Sequence, residues 1–228
     1  GSFASRSSFR AGTGVSNVLR SDVDGDGNLD LITSAIGSDE INVLLGNGDG
    51  SFAQARSIGG SVDPSSIAIE DLNNDGIDDI VALSETGGIA QIFFGNGDAS
   101  FKAAITYSAG VAPKDLKLTD INEDSNIDLV SVDETSGKLN IMLGNADGSF
   151  GASISYRVSD GPVAVLIDDF NNDGASDVAT LSEAESTIDI FAGNVTTRDV
   201  GTGTFSPGTS FGSAGGSLVD VVLAEQVQ

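Results

Sequence analysis

One short acidic stretch occurs four times in this chain, always 49 residues apart. It reads DVDGDGNLD from Asp22 to Asp30 and DLNNDGIDD from Asp71 to Asp79. It returns as DINEDSNID from Asp120 to Asp128 and as DFNNDGASD from Asp169 to Asp177. A fixed period of this size means copies of one supersecondary unit, each burying its apolar side against the next. Predicting the fold therefore reduces to predicting one unit.

The first unit can be read strand by strand. Val15–Leu19 is a short apolar run before the acidic loop, and Leu29–Ala35 follows it. Ile41–Leu45 runs into the turn GNGDG, and Phe52–Ile58 leads to Gly59 and Gly60. Such runs, rich in Val, Ile and Leu and bounded by Gly, Asn and Asp, read as strands. The pairs Asn47-Gly48 and Asp49-Gly50 favour a hairpin, because both accept positive φ. No segment has helical periodicity. The expected unit is four antiparallel strands, with loop-to-loop repeats 22–70, 71–119, 120–168 and 169–223 in one region spanning 1–228. In the fourth unit the turn lengthens to Gly193–Phe205, an insertion centred on Val195–Thr202. Gly1–Phe3 matches the outer-strand start Gly50–Phe52, and Leu218–Leu223 matches a first strand, with Ala224 where a fifth loop would open. The expectation is an all-β propeller of four-stranded blades, four complete, with partial terminal strands in 1–14 and 217–228. Such a series is either a fragment of a larger ring or is completed by a partner.

Charge narrows the function classes. Lys and Arg number 10 against 34 Asp and Glu, a net charge of −24. This disfavours nucleic acid and anionic membranes and favours cations. With the adjoining Asp168, the four loops hold 16 of the 34 acids. The absence of Cys and His removes disulfides, thiolate or imidazole zinc sites and His-dependent catalysis. No apolar tract is long enough to span a bilayer as a helix. The start at GSF, without a signal peptide, suggests a processed or truncated product.

The DxDxDGxxD loops with following LLGNGDGSF segments resemble the FG-GAP or VCBS repeats. That resemblance covers nearly the whole chain. It implies a calcium-binding propeller, commonly seven-bladed, working outside the cell or at its surface in adhesion or ligand recognition. It leaves the ligand open, a protein or a glycan at a cell surface or matrix. Two alternatives stand beside that reading: a propeller-type lectin, weakened by the lack of Trp, and a surface-assembly subunit completed by neighbouring chains.

The loop chemistry supports up to four calcium ions. Calcium takes six to eight oxygens from a flexible loop, and alternating positions 1, 3 and 5 turn towards one centre when the loop curls. Position 7 can add a backbone carbonyl and position 9 closes the sphere. The candidate ligands are Asp22, Asp24, Asp26, Asn28 and Asp30 in the first loop. They are Asp71, Asn73, Asp75, Ile77 and Asp79 in the second. The third offers Asp120, Asn122, Asp124, Asn126 and Asp128, and the fourth Asp169, Asn171, Asp173, Ala175 and Asp177. The spacing begins like an EF-hand, but Glu is absent at position 12 and strands flank the loop. With four carboxylates the first site is expected to bind tightest, and Ser125 in the place of the turn glycine should make the third weakest. Paired carboxylates could serve a glycosidase. Here they fall at metal-ligand spacing, so the expectation is a chain that is not an enzyme.

Overall fold

The computed structural model describes residues 6–193, 205 and 209–212. Gly1–Phe3, the Val195–Thr202 insertion and the terminal run 217–228 lie outside the described residues.

Four antiparallel sheets follow one another along the chain, each with its strands in sequence order. Blade 1 is β1 (Val15–Ser21), β2 (Asp30–Ala35), β3 (Glu40–Leu44) and β4 (Arg56–Ser57). Blade 2 is β5 (Pro64–Glu70), β6 (Asp79–Ser84), β7 (Ile89–Phe93) and β8 (Ile105–Ser108). Blade 3 is β9 (Pro113–Thr119), β10 (Asp128–Asp133), β11 (Lys138–Met142) and β12 (Ile154–Arg157). Blade 4 is β13 (Pro162–Asp168), β14 (Asp177–Ser182), β15 (Thr187–Phe191) and β16 (Thr209–Gly212). Pro opens the first strand of three blades, a position where its missing N–H costs no ladder bond.

The fourth strands are shorter than the sequence suggests. In place of one strand from Phe52 to Ile58 there is an isolated bridge, Gly46 to Phe52, and then the two-residue β4. The break has a cause: the tight turn sets Phe52, and the chain leaves the ladder before it re-pairs at Arg56 with Val43. The same bridge recurs at Gly95–Phe101, Gly144–Phe150 and Gly193–Phe205. Residues 6–14 contain no strand either, so the described part of 1–14 is a linker along blade 1 and not an outer strand.

The second strands of blades 2 and 3 lie between two neighbouring blades and are buried on both sides. All six residues of β6, β10 and β14 are buried. Their side chains alternate between two interfaces. Ile80 and Ala82 join Ile32, Ile41 and Val43 of blade 1, while Val81 and Leu83 join Leu116, Leu129 and Met142 of blade 3. Val130, Val132 and Ile141 then meet Val165, Val178 and Phe191 of blade 4. Truncating one such side chain to Ala costs about 2–5 kcal/mol. First strands lie side by side, β1 with β5, β5 with β9 and β9 with β13. Asn17 Nδ2 donates to Ser65 O at 2.9 Å, and Val165 N donates to the Asp115 carboxylate at 3.0 Å.

The Phe after the turn belongs to these interfaces in blades 2, 3 and 4. Phe150 and Phe205 are buried, and Phe101 packs on the core between blades 1 and 2. Phe52 is half-buried against Phe9, edge to face at 5.5 Å. Tyr107 and Tyr156, edge to face on Phe150 and Phe205, accept those residues' backbone N–H at 3.1 and 3.3 Å.

Candidate metal centre

All four acidic loops join the first strand of a blade to the second, so antiparallel pairing brings them to one end of the molecule. The GNGDG turns, between third and fourth strands, lie at the same end. In the first loop Asp22 accepts the backbone N–H of Asp26 at 3.1 Å and of Gly27 at 2.9 Å. Asp24 accepts from Asp26 at 3.2 Å, and Asp26 from Asn28 at 2.7 Å. Short Asx turns of this kind curl the backbone tightly. The same bonds recur around Asp71, Asp120 and Asp169, from Gly76, Ser125 and Gly174.

The curl needs left-handed backbone twice per loop, at positions 4 and 6. Position 6 is Gly27, Gly76, Ser125 and Gly174, with φ of 87°, 81°, 71° and 91°. Three glycines take that conformation without strain. Ser125 does not, and Glu123 at position 4 of the same loop is also left-handed at φ 59°.

Carboxylate oxygens of Asp22, Asp24 and Asp30 all lie within 4.8 Å of one another. Two oxygens bound to one calcium at 2.3–2.6 Å can be up to about 5 Å apart, so this triad fits a calcium sphere. Asp26 stands outside the triad, exposed, its carboxylate taken by the backbone and side-chain amides of Asn28. Asn73, Asn122 and Asn171 occupy position 3 of the other loops. Their side-chain oxygens accept the N–H of Asp75, Asp124 and Asp173, at 2.9, 3.2 and 2.8 Å. Ile77, Asn126 and Ala175 follow Asx turns made by those same aspartates, so position 7 is placed by the backbone in every loop, as at Asn28.

The ninth position does more than the spacing revealed. Buried Asp30 accepts the N–H of Val23 at 3.0 Å with one oxygen and of Gly46 at 2.8 Å with the other. Asp79 takes Leu72 and Gly95 at 3.1 and 2.8 Å, and Asp128 takes Ile121 and Gly144 at 2.9 and 2.7 Å. Asp177 takes Phe170 and Gly193 at 3.0 and 2.7 Å. This residue thus bolts the acidic loop to the turn between the third and fourth strands. The glycine it grips has no room for a side chain: a Cβ on Gly46 would lie 2.2 Å from Leu29 O. The recurring GN of GNGDG was the available signal, read in the sequence as turn chemistry alone.

Burial raises the carboxyls of Asp79 and Asp128 to about 6, against backbone hydrogen bonds that lower them. Neighbouring loop acids push the same way, Asp75 and Asp71 on Asp79, and Asp124 and Asp120 on Asp128. Burial likewise raises Asp30. A bound cation would reverse that balance by favouring the ionised form.

The sequence missed a second feature, at the other end of the molecule. A cleft of about 290 Å³ opens between blades 3 and 4, lined by Arg157, Ser159, Asp160, Glu185, Asp189 and Phe191, with Val158. Asp189 accepts from Ser159 N and Oγ at 2.6 and 3.0 Å, and Arg157 pairs with Asp160 at 3.2 Å. The available signal was departure from the period: the counterparts of Arg157, Asp160 and Glu185 one repeat earlier are Ser108, Val111 and Ser136.

No curated protein matches the chain in sequence. Solved structures do match in shape. An Agrocybe aegerita lectin, described as recognising non-reducing terminal N-acetylglucosamine, aligns at TM-score 0.58 and 21% identity. That match covers 85% of this chain and 51% of the lectin. The Pseudomonas aeruginosa periplasmic gluconolactonase aligns at 0.60 and 17%, covering 87% of this chain and 55% of its own. A putative 6-phosphogluconolactonase of Bacteroides fragilis aligns at 0.60 and 16%, covering 84% and 52%. The chain thus spans little more than half the length of these proteins, and at such identities the likeness is one of fold. It corrects one expectation. The sequence reading held that the chain is not an enzyme, yet lactonases share this architecture, so the propeller does not exclude catalysis. The sequence signature of the FG-GAP-like repeat matches residues 22–82 and 120–180, which is 122 of the 228. With that match laid over the blades and loops described above, the chain belongs to the FG-GAP-like repeat family.

Proposed function

We propose that the chain is a calcium-stabilised propeller module that acts outside the cell in adhesion or ligand recognition. The observation that carries the calcium role is the carboxylate triad of Asp22, Asp24 and Asp30, at spacings that suit one hard cation. The other three loops repeat its hydrogen-bond frame, with Asn at position 3. Calcium there would clamp the first strand to the second within each blade. It would also relieve the repulsion among acids gathered at one end. The outside-the-cell reading rests on the family resemblance, and no helix among the described residues is long and apolar enough to cross a membrane.

Calorimetric titration of chelated protein with calcium tests the first part, alongside thermal melts with and without chelator. Calcium at a hundred times its dissociation constant adds about 2.7 kcal/mol per site. Absence of binding heat, with a Tm indifferent to chelation, would remove calcium from the account.

A glycan ligand is the second reading, favoured by the cleft between blades 3 and 4. Its carboxylates can accept sugar hydroxyls, Arg157 can donate, and Phe191 offers an apolar face. The likeness to a lectin points the same way. A glycan array probed with and without calcium tests it, and Asp189→Ala should lower any signal found. An array blank in both conditions would leave protein adhesion as the surviving form of recognition.

A further inference from the structure

The turn 95–101, between the third and fourth strands of blade 2, touches two acidic loops. Towards the loop of its own blade, Gly95 N donates to Asp79 at 2.8 Å. A Cβ on Gly95 would lie 2.5 Å from Asp78 O, and one on Gly97 would lie 3.2 Å from the Ile77 side chain. Towards the loop of blade 1, Ala99 N donates to Val23 O at 3.1 Å, and a Cβ on Gly25 would meet Gly97 O at 4.0 Å. The buried side chain of Val23 belongs to the cluster against which Ala99 and Phe101 pack.

Val23 is also held from within its own loop. Its N–H goes to Asp30, a member of the carboxylate triad. One path of contacts therefore joins two candidate metal sites. Asp30 holds Val23, Val23 holds Ala99, and the turn that carries Ala99 is gripped at Gly95 by Asp79. Asp30 and Asp79 are the ninth-position residues of two different loops. Ala99 keeps a left-handed φ of 60° within this path, where the matching Gly50 and Gly148 take 86° and 76° without strain. A strained conformation persists when the surroundings fix it.

The next interface is built differently. In the turn of blade 3, Gly148 takes the place of Ala99, and its N–H closes onto Asn145 O at 2.8 Å inside the turn. Gly148 meets the blade 2 side by packing, with an added Cβ falling 2.5 Å from the Phe94 ring and 3.2 Å from Asn73 Cβ.

We propose that the turn 95–101 is a positioning element shared by the first two loops, so that calcium in either one favours calcium in the other, an inference that rests on the calcium reading. The carboxylates of an empty loop repel one another and work against its curl. A loop already held in its binding conformation loses less freedom when the ion arrives. An ion in the second loop fixes Asp79, and through Gly95 and Ala99 it fixes Val23 and the first loop. Linkage makes the effect reciprocal, each ion strengthening the other by one factor. The third loop, joined to the second without that hydrogen bond, stands outside the pair.

Two-dimensional amide NMR through a calcium titration of the 228-residue chain reads the loops separately, from the signals of Gly27 and Gly76. Asp71→Ala disables the second loop, and the first should then bind calcium roughly fivefold more weakly, or worse. Asp75→Ala disables the same loop through another candidate ligand and should repeat the loss. Asp22→Ala should weaken the second loop by the same factor. Asp120→Ala removes one carboxylate from the third loop and controls for charge, and it should leave the second loop nearly as it was. Unchanged signals away from the altered loop show that each variant folds. Equal losses from Asp71→Ala and Asp120→Ala would reduce the effect to charge and overturn the proposal. Calcium binding by a first loop indifferent to Asp71→Ala overturns the proposal alone, whereas a Gly27 signal that calcium does not move overturns the calcium reading with it.

Discussion

Ser125 is where one residue resists what its loop demands. It holds φ at 71° where the other three copies place glycine. At the matching Gly27, Gly76 and Gly174, an added Cβ would meet no atom within 4 Å. The cost at Ser125 is therefore backbone strain and not crowding. Ser125→Gly should stabilise the protein by about 1 kcal/mol, the difference between relieved strain and the extra freedom of glycine when unfolded. Urea denaturation of the metal-free protein measures it, and a loss of stability would place the strain elsewhere. Asp128 shows the opposite kind of dependence. Removing its carboxylate leaves the buried N–H groups of Ile121 and Gly144 without partners. Each orphaned donor costs about 1–3 kcal/mol, so Asp128→Ala should lose about 2–5 kcal/mol even with no metal present. A loss confined to calcium-loaded protein would make the residue a ligand and nothing more. The sequence named Asp128 as a candidate ligand through spacing. Its grip on Gly144, 16 residues away, could not be read there, because it depends on how two turns meet at the end of a sheet.

At the scale of the blade, the ladder was legible and its outer edge was not. Short apolar runs with Asn-Gly and Asp-Gly turns located the three inner strands to within a few residues, as with Ile41–Leu45 against β3. The fourth strand is the edge, where tertiary packing on one side decides pairing, and β4 shrank to Arg56–Ser57. The blade also sets a pH response. In metal-free protein Asp79 and Asp128 titrate near 6, above the ordinary 3.8, because burial disfavours their charge. The folded chain then holds more protons than the unfolded chain between those values. Stability contributed by these groups is present at the acid side of that window and lost as pH rises through it. In chelator, Tm should be higher at pH 5 than at pH 7, and calcium should shrink the difference. Melts in chelator that show Tm rising from pH 5 to pH 7 would contradict the assignment. The lowered carboxyls of Asp49, Asp98 and Asp147, held by Ser51, Ser100 and Ser149, act below this window.

Across the whole molecule, the 49-residue period carried most of the prediction, since a repeated unit leaves only the stacking to be found. What it could not carry is whatever departs from the repeat. The cleft between blades 3 and 4 is made of residues without counterparts, among them Arg157 and Glu185, and only their assembly in space marks them. The placement of the loops has one more effect. Because every acidic loop and every GNGDG turn leaves from the same end of the sheets, the larger share of the negative charge gathers there. Three basic residues, Lys114, Lys138 and Arg157, fall at strand ends on the opposite side. The protein is therefore an electric dipole along its own axis, one that aligns in a field and turns its loop end away from an anionic surface. Four divalent ions would add about eight positive charges at that end. Transient electric birefringence should accordingly report a permanent moment that falls as calcium is added, and a moment indifferent to calcium would leave the loops out of cation binding. A cation bound to hold a blade together would thus also change which way the whole molecule faces.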